Sequence, residues 1–292
     1  MGKYDNYIGR VYADRYEIIS VVGTGGSAVV FGVYDSKEDR TVAMKMLKKE
    51  YENNEEAVSR FIREAEVLSL FSHPEIVKIY DKYLDEFPKY FIMEYVEGIT
   101  LKTHILSNGA MSKEEIFYFL KPILSALGEI HKKGVVHSDV KPQNIVVLAD
   151  GSVRIMDFGI SKSFTHLIDE DGKENKNGND MAIGTVHYVS PEQAEAKSLD
   201  GRSDLYSLGV VTYEMATGIL PFLAKSPLKL PQCTSTSFPL LRQKSTPQFP
   251  KRWKKLFLRL WKSFQRTDIR PQMKCLRISH AQKSQSPKTT SR

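Results

Sequence analysis

The stretch His137-Ser138-Asp139-Val140-Lys141-Pro142-Gln143-Asn144 places a carboxylate, an ammonium and a carboxamide in one short loop. Phosphoryl transfer needs three such groups. A carboxylate orients the attacking hydroxyl and takes its proton, a cation sits beside the transferring group, and an oxygen atom ligates Mg2+. Asp139, Lys141 and Asn144 supply one each. Asp157-Phe158-Gly159 follows a short strand at 153–156, and a strand-end carboxylate ahead of a glycine suits a Mg2+ ligand that faces nucleotide phosphates. For either motif alone a solvated Asx-Gly turn is the better reading, so its meaning depends on its surroundings.

Upstream, residues 16–22, 29–34 and 41–47 are β-branched and aromatic runs separated by glycines or polar turns, and they predict three antiparallel strands. Between the first two lies a loop of Val22, Gly23, Thr24, Gly25, Gly26, Ser27, Ala28, Val29 and Val30, whose backbone can lie close over phosphates and offer its N–H groups. A flexible hairpin explains the same glycines. Lys45 ends Val42-Ala43-Met44-Lys45 on the third strand, where a solvated edge charge is the plain reading. Glu64 lies on a predicted helix over 55–70 and could neutralise and aim Lys45; an ordinary surface glutamate fits too. Strands at 76–81 and 89–95 complete a predicted five-stranded sheet with one helix.

After Gly98 the pattern turns helical. Ser112 to Glu115 form a capping box opening a helix with Ile116, Phe119, Leu120, Ile123, Leu124, Leu127 and Ile130 on one face, stopped at Gly134 and bent at Pro122. Short strands at 145–148 and 153–156 flank a turn, and 203–217 predicts a second buried helix. The expected fold is α+β and bilobal, with a small β-rich lobe over 10–96 and a mainly helical lobe over 97–222.

Taken in order, the glycine loop, VAMK, Glu64, HSDVKPQN, DFG and Gly184-Thr185 through Ser190-Pro191-Glu192 resemble the eukaryotic-like protein kinase family over roughly residues 10–222. The wording RFIREAEVLSLFSHPEIVKIYD, YFIMEYVEGITL and SPEQA is most similar to bacterial serine/threonine kinases of the receptor type that carry cell-wall-binding repeats. Lys141, two residues after Asp139, matches the Ser/Thr pattern. The resemblance implies an ATP- and Mg2+-dependent kinase acting on Ser/Thr hydroxyls of proteins, with self-association of the kind related kinases show. By position, it makes Asp139 the catalytic base, with Lys45 on the α/β-phosphates, Glu64 holding Lys45, and Asn144 and Asp157 on Mg2+. It puts Met93 at the back of the adenine pocket, the backbones of Glu94 and Val96 at the hinge, and Val30, Ala43, Val146 and Met156 around the ring. Thr185 would bridge Asp139 and Lys141. The competing reading is a kinase-like nucleotide-binding protein without effective catalysis.

Two departures from the pattern point one way. Ser138 stands where most of the family has Arg, and residues 166–183 contain no Ser, Thr or Tyr. A serine cannot make the charge-assisted contact that an arginine makes with a loop phosphate. The expectation is that loop phosphorylation does not switch this chain, leaving Ser161, Ser163 and Thr165 as minor sites. Ala28 replaces the third loop glycine and is small enough to permit the same close approach.

The 292 residues carry a net charge of +7, and that figure averages two unlike parts. Residues 1–222 hold 25 Lys+Arg and 34 Asp+Glu, a net −9, whereas 223–292 hold 17 Lys+Arg against the single acid Asp268, a net +16. All 18 glycines and all 14 tyrosines precede Leu223, while both cysteines and both tryptophans follow it. With an acidic body, the basic pI gives no reason to expect a nucleic-acid partner. Two cysteines form no disulfide framework, which favours a reducing, cytoplasmic compartment, and no stretch is apolar enough to span a membrane. Residues 223–292 read as a basic tail, either disordered or the product of a shifted reading frame near residue 225, which would leave the helical lobe incomplete. Alternatively, Lys251–Phe264 places Trp253, Leu256, Phe257, Leu260, Trp261 and Phe264 at helical spacing on a basic background, as for an anionic membrane or a helix-binding partner.

Overall fold

β-branched and aromatic runs of the first ninety-odd residues pair into one antiparallel sheet, because each run alternates its apolar side chains between two faces that are both covered. The computed structural model describes residues 2–158, 187–195 and 197–221. Its strands are β1 (Val11–Tyr12), β2 (Tyr16–Thr24), β3 (Ala28–Asp35), β4 (Arg40–Leu47), β5 (Ile79–Tyr83) and β6 (Tyr90–Met93), in the spatial order β1-β2-β3-β4-β6-β5. The sheet therefore has six strands where the sequence predicts five. The extra one, β1, is too short to show a period, and it pairs with β2 because Ala13 and Asp14 both adopt positive φ and turn the chain back. The strand expected at 76–81 begins instead at Ile79. Ile76 makes an isolated parallel bridge to Ile155 and so joins the sheet lobe to the lower lobe.

One face of the sheet packs on α1 (Glu55–Leu68), capped by Asn54, through Phe61, Ala65 and Leu68. The other face is covered by the amino-terminal residues. The Tyr7 ring stacks on Phe31 at 5.5 Å and Tyr4 meets Phe31 edge-on, within an outer cluster that also holds Tyr16, Met44, Met46 and Tyr90.

The lower lobe is built on α2 (Leu101–Asn108), α3 (Lys113–Lys132), α4 (Pro191–Ala194) and α5 (Gly201–Thr217), with a three-stranded sheet of β7 (Gly98–Thr100), β8 (Ile145–Leu148) and β9 (Val153–Ile155). α3 starts with the expected capping box and keeps Pro122 within its span. Its apolar stripe is narrower than predicted: Leu124 is 46% exposed, and Ala126 takes a core position instead. α2 and β7 are absent from the sequence reading, since only Leu101 and Ile105 mark the core side of α2. Lys102 of α2 forms an ion pair with the buried Glu214 of α5, whose other oxygen accepts the Tyr188 hydroxyl at 2.6 Å. Close approach demands glycine at Gly98 and Gly201. A Cβ on Gly98 would lie 2.3 Å from the Val147 carbonyl, and one on Gly201 would lie 2.7 Å from the His131 ring. Among the described residues, no helix is long and apolar enough to cross a membrane.

Candidate active site

Lys45 sits on β4, whose register sets Val30 and Phe91 beside it, and its side chain leaves the inner face of the sheet. Its Nζ donates to Glu64 Oε1 at 2.6 Å and to Asp157 Oδ1 at 2.8 Å. One ammonium thus ties together β4, α1 and the residue following β9, elements far apart in sequence. Burial works against the Lys45 charge, but the Asp157 and Glu64 carboxylates outweigh it and hold the ammonium above its ordinary value. Lys45 in turn lowers the Asp157 carboxyl below its usual range. The Asp157 side chain remains 53% exposed, so it is open to a further ligand.

The catalytic-loop candidates converge below. Asp139 Oδ2 lies 2.8 Å from Lys141 Nζ and also accepts the Asn144 amide at 2.8 Å. Asn144 Nδ2 further donates to the Asp139 carbonyl at 2.9 Å, which directs its own carbonyl oxygen elsewhere, as a cation ligand requires. His137 is fully buried. Its Nδ1 accepts the Asp139 N–H at 3.2 Å, so Nε2 carries the hydrogen that meets the Met156 carbonyl at 3.3 Å. Burial lowers the His137 pKa against the pull of Asp204 and Asp139, which fits this neutral ring. Phe158, next to Asp157, lies between Phe71, on which it stacks at 5.6 Å, and the tilted ring of His137 at 4.5 Å.

Several supporting residues escape the sequence reading. Asp204 of α5, itself buried, accepts the N–H groups of His137 and Ser138 at 2.9 and 2.7 Å and contacts His131 Nε2 at 2.8 Å. Gln193 of α4 donates to the Ser138 carbonyl at 2.8 Å. Ser138 at φ 61 and Asp157 at φ 49 occupy the left-handed region, a backbone cost that these neighbours offset. Nothing in the sequence around Asp204 singles it out, since the same helix also carries Arg202 and the acid Glu214.

The glycine loop joins β2 to β3, and a Cβ added at Gly23 or Gly26 would meet nothing within 4 Å, so the loop borders open space. Val22 is 52% exposed, whereas the Val29 side chain turns into the outer cluster, because strand alternation sends its neighbours Ala28 and Val30 to the inner face. Thr24, Gly25, Ser27 and Ala28 complete the turn. Ala43 pairs with Met93 across β4 and β6; together with Val30, Val96 and Met156 they belong to the inner core that spans both lobes, and Val146 of β8 is buried as well. The Glu94 N–H donates to the Lys78 carbonyl at 2.8 Å, and its carboxylate accepts from Arg154 at 2.8 Å. Arg154 thereby fixes the segment between the lobes, a role unmarked in the sequence.

Among the described residues no group of three or more His, Cys, Asp or Glu side chains is placed to hold a metal. A cation on Asp157 and Asn144 would draw its remaining oxygens from phosphates and water, which is the habit of Mg2+. The donor set therefore fits nucleotide-bound Mg2+. Glu192 accepts the Ser203 hydroxyl at 2.5 Å. Ser161, Ser163, Thr165, Thr185, the 166–183 loop and residues 223–292 lie outside the described residues.

The family model described as "Protein kinase domain" matches residues 16–280, reaching beyond residue 222 where the motif series ends. A probable serine/threonine-protein kinase of Clostridium perfringens is 43% identical over 76% of this chain and 31% of its own length. The probable serine/threonine-protein kinase PknB of Lactococcus lactis is 39% identical over 74% of this chain and 33% of its own. Serine/threonine-protein kinase PrkC of Bacillus subtilis is 39% identical over 76% and 33%. The chain thus spans about a third of the length of the curated relatives it matches. With the motif residues assembled across two lobes and most of its length matched, the chain belongs to the protein kinase domain family.

Proposed function

We propose that this chain is the catalytic domain of a protein serine/threonine kinase that transfers the γ-phosphoryl group of ATP to Ser/Thr hydroxyls of protein substrates. The observation that carries the reading is Lys45 bridging Glu64 and Asp157 at 2.6 and 2.8 Å above an Asp139–Lys141–Asn144 cluster. In this reading ATP with Mg2+ supplies the electrophilic phosphoryl group, bound between the glycine loop and Lys45, with Asn144 and Asp157 on the metal. Asp139 orients the acceptor hydroxyl and holds its proton. Lys141, 2.8 Å from Asp139, offsets charge that develops on the transferring group. Ala43, Val146 and Met156 provide the apolar slot for adenine, and the backbones of Glu94 and Val96 its hydrogen bonds. Matches that carry kinase names over most of the chain support this reading over an inert nucleotide binder.

Self-association and a cytoplasmic location belong to the same reading, as does a catalytic unit over 10–222 that works without the basic tail. The test is transfer of labelled phosphate from ATP to a generic protein substrate. Transfer should require Asp139 and survive deletion of 223–292. Tight binding of ATP·Mg2+ with no transfer by the unaltered chain would overturn the catalytic reading.

A further inference from the structure

The carbonyls at the tip of the glycine loop are held by a side chain with no part in the site described above. Lys48 Nζ donates to the Gly25 carbonyl at 2.6 Å and to the Gly26 carbonyl at 2.8 Å. Its backbone is bound to the same hairpin: the Lys48 N–H donates to the Ser27 carbonyl, and the Gly25 N–H closes the turn on the Ala28 carbonyl, both at 2.9 Å. Lys48 directly follows β4, and the pleat of that strand fixes the side from which it reaches. Met44 and Met46 pack in the outer cluster, whereas Ala43 and Leu47 pack in the inner one, where Lys45 meets Glu64 and Asp157. Lys48 continues the row of Met44 and Met46, so it approaches the loop from the side opposite Lys45.

A trans peptide points its N–H away from its C=O. With the Gly25 and Gly26 carbonyls drawn outward to Lys48, the N–H groups of Gly26 and Ser27 turn inward, to the side on which Lys45 lies. Successive backbone donors turned to one side make an anion-binding arrangement. A glycine-rich tip is otherwise free to sample many conformations, and ordering it on binding costs affinity.

We propose that Lys48 is a positioning residue for the nucleotide phosphates: it contacts no nucleotide itself, but tethers the loop tip so that two backbone donors are set before ATP arrives. This inference rests on the kinase reading above and adds to it a residue on the outer face of the sheet.

The test measures equilibrium affinities of the full chain and of Lys48→Ala and Lys48→Arg for ATP·Mg2+, ADP and adenosine, together with hydrogen exchange at the Gly26 and Ser27 amides. Lys48→Ala should weaken ATP and ADP binding by about tenfold, leave adenosine binding unchanged and speed exchange at both amides in the nucleotide-free protein. Lys48→Arg should recover most of the lost affinity. Unchanged ATP affinity in Lys48→Ala, an equal loss for adenosine, or no recovery in Lys48→Arg would each overturn the tether while leaving the kinase reading intact. Failure of the unaltered chain to bind ATP·Mg2+ would overturn that reading and the tether with it.

Discussion

Asp204 accepts the backbone N–H of Ser138 at 2.7 Å and so holds a non-glycine residue at φ 61 in the middle of the catalytic-loop candidate. Its other oxygen takes the His137 N–H, so a single buried carboxylate sets two successive peptide planes ahead of Asp139. Asp204→Asn exchanges an acceptor for a donor facing those N–H groups. Leaving buried groups unpaired costs about 1–3 kcal/mol each, so the variant should melt earlier and turn over more slowly while ATP affinity stays close to that of the parent. Thermal melting and steady-state kinetics check this; unchanged turnover would remove Asp204 from the set of positioning residues.

Asp139→Asn keeps the shape of the side chain and its neighbours Lys141 and Asn144, but it cannot take a proton. Turnover should fall by about 10²–10⁴-fold with the KM for ATP little changed. Single-turnover phosphoryl transfer is the measurement, and a variant of near-normal rate would show that Asp139 is not the base.

Lys45→Met removes the bridge between Glu64 and Asp157. Loss of a preorganised charge at the reacting centre lowers turnover by about 10²–10³-fold. Glu64→Gln should do less harm, because Asp157 still holds the ammonium. A ranking of Glu64→Gln below Lys45→Met in activity would contradict the geometry.

Two groups give the folded state distinct responses to acid. Burial lowers the His137 pKa below its ordinary 6.5, so its contribution is complete above about pH 6.5 and is lost as the pH falls below that value. Asp157, lowered chiefly by Lys45, contributes above its ordinary 3.8, and that share is lost only as the pH falls through its lower folded value. Melting temperature should decline in two stages as the medium is acidified. The imidazole resonance of His137, assigned by its loss in His137→Gln, should titrate at lower pH in the folded protein than in the unfolded chain; titration at the same or a higher pH would refute the first stage.

Ser138 has its N–H and carbonyl engaged by Asp204 and Gln193, and its short side chain carries no positive charge to receive a phosphate. Protein treated with a phosphatase should keep its turnover, and so should a chain in which Ser161, Ser163 and Thr165 are all alanine. A requirement for phosphate at any of the three, found by phosphopeptide mapping against activity, would reverse the expectation.

The legible part of the site is the part whose chemistry forces a residue type at a fixed place in a local pattern. Lys45, Asp139, Asn144 and Asp157 each sit in a short motif on a strand end or loop, and Glu64 lies on a helix with a clear apolar period. Asp204, Gln193, Arg154 and Lys48 work differently. Each meets backbone or side-chain atoms of a segment remote in the chain, and nothing in its own neighbourhood marks it. The same logic separates the elements: α3 announces itself by a capping box and a long stripe, while β1 and α2 are too short to carry a period and exist because a neighbour receives them.

The rings of Tyr4 and Tyr7 lie on Phe31, yet the match to the kinase family begins only at residue 16. Anyone trimming the protein to its recognisable domain would strip away that cover along with β1. A shortened fragment would then present Phe31 and the β2 edge to solvent, inviting aggregation and strand-to-strand sticking. Poor behaviour of such a fragment at the bench would reflect a missing lid of tyrosines, with the catalytic cleft itself sound.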